Sequence, residues 1–208
     1  MALSNYTDLQ TSIAAWMHRS DLTSTIPDFI SLAESRINSA LTLREMETEA
    51  ALTTVIGQNY ASMPSRMVEA ICAFITISGI QTMLTRVDPA SIPAGNVNGM
   101  PQYWATDGET IKFDCPLDNT YAITLRFKQG FALASTSTNW LMTRHPRVYL
   151  YGAQAEASLY TRDQAGAAMF ESAFQQALAD ANRSENYATE LRVDDGMNSG
   201  TYNIYKDG

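Results

Sequence analysis

The stretch NWLMTRHPRVYLYGAQAEASLY, residues 139–160, decides how the rest of the chain is interpreted. A helix is predicted to begin at Pro146, because the first helical turn does not use the N–H that proline lacks. Small and apolar residues then recur at helical spacing and form one narrow face: Val148, Tyr151, Gly152, Ala155 and Leu159. Small residues on such a face allow a second helix to approach closely.

This segment has two interpretations. In the first it is a helix-packing and assembly segment, in which Trp140, Tyr149 and Tyr151 offer large apolar areas with polar tips beside the small Gly152. In the second it is an ordinary core helix with aromatic residues at the edges of its buried face. Apolar periodicity indicates burial without identifying the partner, so the sequence leaves both interpretations open.

Helical patterns occupy both ends of the chain, and a β pattern occupies the middle. Four helices are predicted, at residues 7–20, 25–43, 146–163 and 164–184. Residues 45–128 contain short alternating runs separated by turn signals, which favours an antiparallel sheet. Hairpins are expected at Asp107-Gly108, within Gln102–Cys115, and at Ile56–Asn59.

The predicted fold class is α+β. A bundle of the N- and C-terminal helices carries a small antiparallel β domain inserted in the middle, and residues 1–187 form the core. Residues 188–208 are expected to be an extended C-terminal arm, because Gly196 and Gly200 interrupt the pattern there. Tyr202, Ile204 and Tyr205 are the apolar anchors of this arm, and such a segment is often ordered only on a partner.

Composition excludes several classes of function. The net charge of −8, from 14 basic and 22 acidic residues, argues against a protein that grips a phosphate backbone. The longest apolar run, Ala70–Ile80, is shorter than the ~20 residues of a membrane helix, so no membrane span is expected. Cys72 and Cys115 are too few for a disulfide framework.

The sequence contains none of the catalytic, zinc-binding or phosphate-binding motifs that we sought. CxxC, HxxxH and HExxH zinc patterns, phosphate-binding glycine loops and a GxSxG nucleophile elbow are all missing from the sequence. We therefore expect no catalytic residues, no metal site and no cofactor.

One group of charges is patterned. Glu45, Glu47 and Glu49 are spaced by two, so an extended segment would place all three on one face. The simpler interpretation is a solvated strand face. The functional interpretation is an acidic stripe that faces a channel, where like charge keeps DNA moving.

Taken in order, these features resemble the head-to-tail adaptor (connector) proteins of short-tailed bacteriophages. The resemblance covers most of residues 3–185. It is carried by YTDLQTSIAAWMHRSDL, IPDFISLAESRIN, LREMETEA, GQNYASMP, YWATDGETIKF and TNWLMTRHPRVYLYGA.

The resemblance implies a structural virion protein of the neck or tail, assembled in the host cytoplasm, with no catalysis. It implies a homo-oligomeric ring of twelve copies beneath the portal protein, with genomic DNA passing through without specific binding. The ring would be the platform for the tail nozzle or tail tube protein. A C-terminal arm that reaches into the portal is carried over to residues 188–208, with Tyr202, Ile204 and Tyr205 as docking anchors.

Three alternatives stay open. One is another virion component, such as a head-completion or tail-tube protein. Another is a virion-associated cell-wall hydrolase, which would need two carboxylates across a cleft. The third is a small-ligand module built on the Asp88–Gln102 loop.

Overall fold

The structure, a computed structural model, describes residues 3–197 except 20, 42, 93, 94 and 96, and of residues 186–197 it describes the backbone alone. The chain divides into two compact units. Met1–Leu43 and Phe131–Gly208 form a helical unit, and Arg44–Gly130 form a β unit.

The helical unit contains six α-helices over the described residues. They are α1 (Tyr6–Met17), α2 (Ile26–Ala40), α3 (Leu133–Thr136), α4 (Trp140–Arg144), α5 (Pro146–Tyr160) and α6 (Gln164–Met197). Asn5 caps α1 by accepting a hydrogen bond from the Asp8 N–H at 2.9 Å, and Asn139 caps α4 through the Met142 N–H at 2.8 Å. Proline occupies the first turn of α2 and of α5, where it costs no hydrogen bond.

Helix α5 lies at the centre of this unit, in contact with α1, α2, α4 and α6. Its neighbours pack tightly around Gly152. A Cβ atom at that position would lie 3.0 Å from the Ala33 Cβ of α2 and 3.0 Å from Phe174 Cε2 of α6. The glycine is therefore required by the close approach of three helices.

Helix α6 is 34 residues long and continues to Met197. The prediction of an extended arm is therefore wrong for residues 188–197, which are helical. The apolar helical periodicity of the sequence ends before residue 188, but its absence argues only against a buried helix face and not against a helix. Residues such as Ala188, Leu191 and Arg192 have high helix propensity and favour a helix without that periodicity. Tyr202, Ile204 and Tyr205 lie outside the described residues.

The β unit contains seven strands over its described residues. They are β1 (Glu47–Leu52), β2 (Tyr60–Ser62), β3 (Met67–Ile77), β4 (Ile80–Arg86), β5 (Tyr103–Asp107), β6 (Thr110–Phe113) and β7 (Ala122–Gln129). Their order in the sheet is β1-β7-β3-β4-β5-β6-β2. Two short 3₁₀ helices, Arg44–Met46 and Pro89–Ser91, lie before β1 and after β4.

The predicted fold class is wrong. The described residues form six helices and a seven-stranded mixed half-barrel sheet, so the main fold is not a helical bundle with a small antiparallel insertion. The pairing of β4 with β5 is parallel, at Thr85↔Tyr103 and Arg86↔Trp104. Turn signals indicate only neighbouring antiparallel strands, and a parallel pair needs a longer connection that local sequence does not reveal.

The two predicted hairpins had different outcomes. The hairpin predicted at Asp107-Gly108 forms, with Gly108 and Glu109 joining β5 to β6, and Gly108 has a positive φ of 58° in this tight turn. Ile56–Asn59 forms no hairpin, because β1 pairs with β7 and β2 pairs with β6. The Gly57 N–H instead donates to the Leu117 carbonyl at 2.8 Å, a contact between segments sixty residues apart.

The core of the β unit lies on one face of the sheet. Its buried side chains are mainly aliphatic and aromatic: Leu52, Ala61, Ala70, Ala73, Ile75, Leu84, Trp104, Ile111, Phe113, Leu117, Ile123, Leu125 and Phe127. Trp104 is fully buried, and its indole N–H donates to the Leu84 carbonyl at 3.2 Å, so the polar group of the largest core side chain is satisfied. Among the helices as far as they are described, none has the length and apolarity to cross a membrane.

Candidate functional site

The structure places Tyr149 and Gly152 inside the helical unit. Tyr149 is fully buried, its hydroxyl donates to Glu34 Oε1 at 3.0 Å, and the hydroxyl oxygen accepts from Asn139 Nδ2 at 2.8 Å. Burial raises the pKa of Tyr149, and the negative charge of Glu34 raises it further. The same Glu34 oxygen accepts from the Leu133 N–H at 2.8 Å, so one carboxylate ties α2 to α3 and α5.

Trp140 and Tyr151 are half-buried. Trp140 contacts Phe131 edge-on, with ring centroids 5.5 Å apart. Tyr151 lies 6.2 Å from Trp16 of α1, whose ring is 49% exposed. These side chains keep part of their area in solvent, so their role in assembly stays a prediction, whereas Tyr149 and Gly152 contact their own unit.

An arginine joins the three central helices. Arg36 of α2 donates to Glu156 Oε1 of α5 at 2.9 Å and to Glu171 Oε1 of α6 at 2.6 Å. Its guanidinium carbon lies 4.7 Å from the centre of the Phe174 ring. The hydrogen bond from Arg36 lowers the pKa of Glu171, which favours the charged form of this carboxylate beside the arginine.

Beside this ion pair lies an apolar groove of about 460 Å³, which we call the α5–α6 groove. Its floor consists of Ala155, Leu159, Ala167 and Ala168. Leu159 is 61% exposed, which is unusual for a leucine beside three paired charges. Since the rim charges already neutralise one another in part, the groove is suited to an uncharged apolar group.

The β unit presents a second apolar surface, at the end of the β3–β4 hairpin. Ser78 and Gly79 form its two-residue turn with φ angles of 51° and 81°. The side chains of Ile77 and Ile80, which share one face of the hairpin, are 40% and 70% exposed, and we call these two residues the hairpin tip. Residues 71–85 include no charged residue, although the chain as a whole is 17% charged.

The three glutamates of the predicted acidic stripe have different surroundings. Glu45 lies in the 3₁₀ helix before β1, whereas Glu47 and Glu49 lie on β1. Glu47 forms a salt bridge with Arg126 of β7 at 2.7 Å, and Arg126 is also the cross-strand neighbour of the exposed Glu49. Positive charge therefore adjoins the stripe on this sheet face.

Sequence reasoning missed a buried acid near the end of the described side chains. Glu185 of α6 is 5% exposed and accepts from Arg144 Nη1 at 2.7 Å, with His145 Nε2 at 3.3 Å. Burial alone would raise the pKa of Glu185, but the hydrogen bonds from Arg144 and His145 outweigh it and lower the pKa. No spacing rule could reveal this cluster, since its members are forty residues apart.

Groups suited to chemistry are dispersed in the part of the chain that the structure describes, where no three His, Cys, Asp or Glu residues are arranged to hold a metal ion. Cys72 and Cys115 are free and half-buried. Burial raises the pKa of both thiols.

The sequence matches a known protein family. The model of a family described as SU10 adaptor protein matches residues 4–194, which is nearly the whole chain. No curated protein matches the sequence.

Proposed function

Since the chain belongs to the SU10 adaptor protein family of phage head–tail adaptors, we propose that it binds beneath the portal ring and joins the head to the tail. As a member of this family it is a structural protein of the virion. The family match over residues 4–194 is the observation that carries the proposal. Contact with other capsid or tail components follows from membership, and the portal and the tail nozzle or tail tube protein are the partners we propose.

The proposed assembly is a homo-oligomeric ring of twelve copies in the neck of the virion, formed in the host cytoplasm, with genomic DNA passing through its centre. A net charge of −8 per copy supports this, because a channel that repels DNA lets it pass without binding. Within the acidic stripe of Glu45, Glu47 and Glu49, we propose Glu49 as the strongest channel-facing candidate. It is the exposed member of the stripe, whereas Glu47 is engaged by Arg126.

We further propose that residues 188–208 dock on the portal, with Tyr202, Ile204 and Tyr205 as anchors. The described helix supports this, since it extends twelve residues past Glu185, about 18 Å at 1.5 Å per residue. A segment that becomes ordered on its partner contributes less affinity per unit area, and neighbour contacts within a ring compensate for that loss.

The test is the native mass of the purified chain, alone and after mixing with the portal ring of the same virus. We expect one copy to add per portal subunit. Addition in another ratio, or binding to a tail component but not to the portal, would assign the chain to another virion position.

A deletion of residues 198–208 tests the arm separately. The shortened chain is expected to fold, because the deletion begins after the last described residue of α6. It is expected to lose portal binding. Normal binding by the shortened chain would refute the docking role of Tyr202, Ile204 and Tyr205 while leaving the adaptor proposal intact.

A further inference from the structure

We propose that the hairpin tip of one copy seats in the α5–α6 groove of the next copy, and that this contact closes the ring. The proposal rests on the proposed ring function and identifies the surfaces that join its neighbours. The occupant of the groove is thus a second copy of this chain.

The hairpin tip has the chemistry of a buried contact. Ile77 and Ile80 lie directly opposite each other across the strands, so their side chains share one face of the hairpin, whereas Met83 lies on the other face. Ile80 is 70% exposed beside a two-residue turn, and with the facing Ile77 it forms a small apolar patch in solvent. Because residues 71–85 include no charged residue, burying the tip would not bury an unpaired charge.

The groove matches the tip in size and charge. A cavity of about 150 Å³ accommodates a benzene molecule, so about 460 Å³ is room for two isoleucine side chains. Arg36 is shared by Glu156 and Glu171, so the rim carries one positive and two negative charges. The excess negative charge would repel an acidic segment, whereas the uncharged tip is not repelled and leaves the pairs of 2.9 and 2.6 Å undisturbed.

Ring symmetry favours a head-to-tail contact, in which the tip of one copy binds the groove of the next. Two hairpin tips in contact with each other would form a closed dimer, whereas a tip and a groove on the same chain can repeat around a ring. The area agrees with this. Two exposed side chains bury at most a few hundred Å², well below the ~800 Å² per partner of a stable interface, so the contact is too small to hold a dimer alone. It becomes effective when the portal brings neighbours together.

Disulfide trapping tests the contact. In a background with Cys72→Ser and Cys115→Ser, the double variant Ile80→Cys/Leu159→Cys is bound to the portal ring and oxidised. We expect a ladder of cross-linked species beyond the dimer on a non-reducing gel. Each single variant should stay monomeric on the gel, and so should Ile80→Cys/Leu32→Cys, since Leu32 of α2 is 53% exposed but is not among the residues that line the groove.

Two results would overturn the proposal. Dimers from Ile80→Cys alone would show that tips meet tips, and a double variant that binds the portal without cross-linking would show that the tip docks elsewhere.

A second measurement needs no portal. At high concentration the free chain should self-associate weakly, and Ile80→Lys should weaken this at least tenfold. Adding Leu159→Glu to Ile80→Lys should restore most of the loss by charge pairing, whereas no restoration would count against the groove as the seat. Self-association of this kind without any portal binding would refute the portal role and keep the copy-to-copy contact.

Discussion

Helix α5 and the β3–β4 hairpin are both poor in charge, yet α5 buries most of its residues and the hairpin presents its end to solvent. Helix α5 is contacted by α1, α2, α4 and α6. The hairpin packs on β7 along its length, but its last residues, Ile77 and Ile80, extend to the end of the sheet, where they remain 40% and 70% exposed. An apolar pattern thus specifies burial, and the number of neighbouring elements decides how much of it is achieved inside one chain.

The largest expected effect comes from filling the tightest contact of α5. Gly152→Val places its new atoms within about 3 Å of Ala33 and Phe174, so we expect a loss of about 3 kcal/mol in the free energy of unfolding. Urea unfolding followed by circular dichroism measures it. Ala168→Val, at an exposed position of α6, is the control and should change stability by less than about 0.5 kcal/mol. If Gly152→Val and Ala168→Val both cause only small losses in the free energy of unfolding, α5 is loosely packed and does not differ from the hairpin in this respect.

The buried hydroxyl of α5 should contribute next. Tyr149→Phe removes the hydrogen bonds to Glu34 and Asn139, at an expected cost of about 1.5 kcal/mol in the free energy of unfolding. Tyr160→Phe is the control, because Tyr160 is 59% exposed. If the two variants unfold at the same urea concentration, the polar network does not help to hold α5 in place.

A smaller effect is expected where α6 passes beyond the apolar core. Glu185→Gln weakens the contacts with Arg144 and His145, and we expect a loss of about 1 kcal/mol at pH 7. Asp180→Asn removes an exposed pair of 3.7 Å with Arg183 and is the control.

The effect of Glu185 should depend on pH. Its pKa in the folded chain lies below the ordinary glutamate value of 4.5, so its contribution is present above that value and is lost as the pH falls through the folded pKa. The difference between the parent chain and Glu185→Gln should therefore shrink from pH 7 to pH 3, as measured by urea unfolding at each pH. A difference that grows on acidification would mean that Glu185 is not stabilised as a carboxylate.

The smallest effect on stability is expected at the hairpin tip. Ile80→Lys should change the free energy of unfolding by less than about 0.5 kcal/mol, because the side chain is already 70% in solvent. Gln81→Lys is the control, because it adds a positive charge beside Ile80 without removing an apolar side chain. A loss of 2 kcal/mol at Ile80 would mean that the tip is buried within its own chain, and the proposed contact between copies would have to be abandoned.

Local signals predicted the starts of four helices within one residue, but not α3, α4 or the last thirteen residues of α6. Pro146 begins α5 as its position predicted, and one of the two predicted hairpins forms, between β5 and β6. The resemblance to head-to-tail adaptors is confirmed by the family match. The fold class was wrong, because the seven strands form a mixed sheet in which β4 pairs with β5 in parallel, and no local pattern reports such a partner.

The candidate surfaces were harder to predict. Residues 139–160 offered an assembly face, yet Tyr149 and Gly152 pack on Ala33, Glu34 and Phe174 of the same unit. The apolar run Ala70–Ile80 contains no charged residue, yet Ile80 is exposed. The Glu185 cluster and the groove combine residues from separate helices, so they exist only after the helices pack.

By itself, the sequence determined the helical periods, the caps and turns, the acidic charge and the family to which the chain belongs. These depend on neighbouring residues or on composition, which the unfolded chain already contains. Only the tertiary structure decided which apolar faces are buried, that Gly152 is needed for the approach of Ala33 and Phe174, and that the sheet is mixed. Those features depend on contacts between distant segments, where packing and long-range hydrogen bonding outweigh local preference.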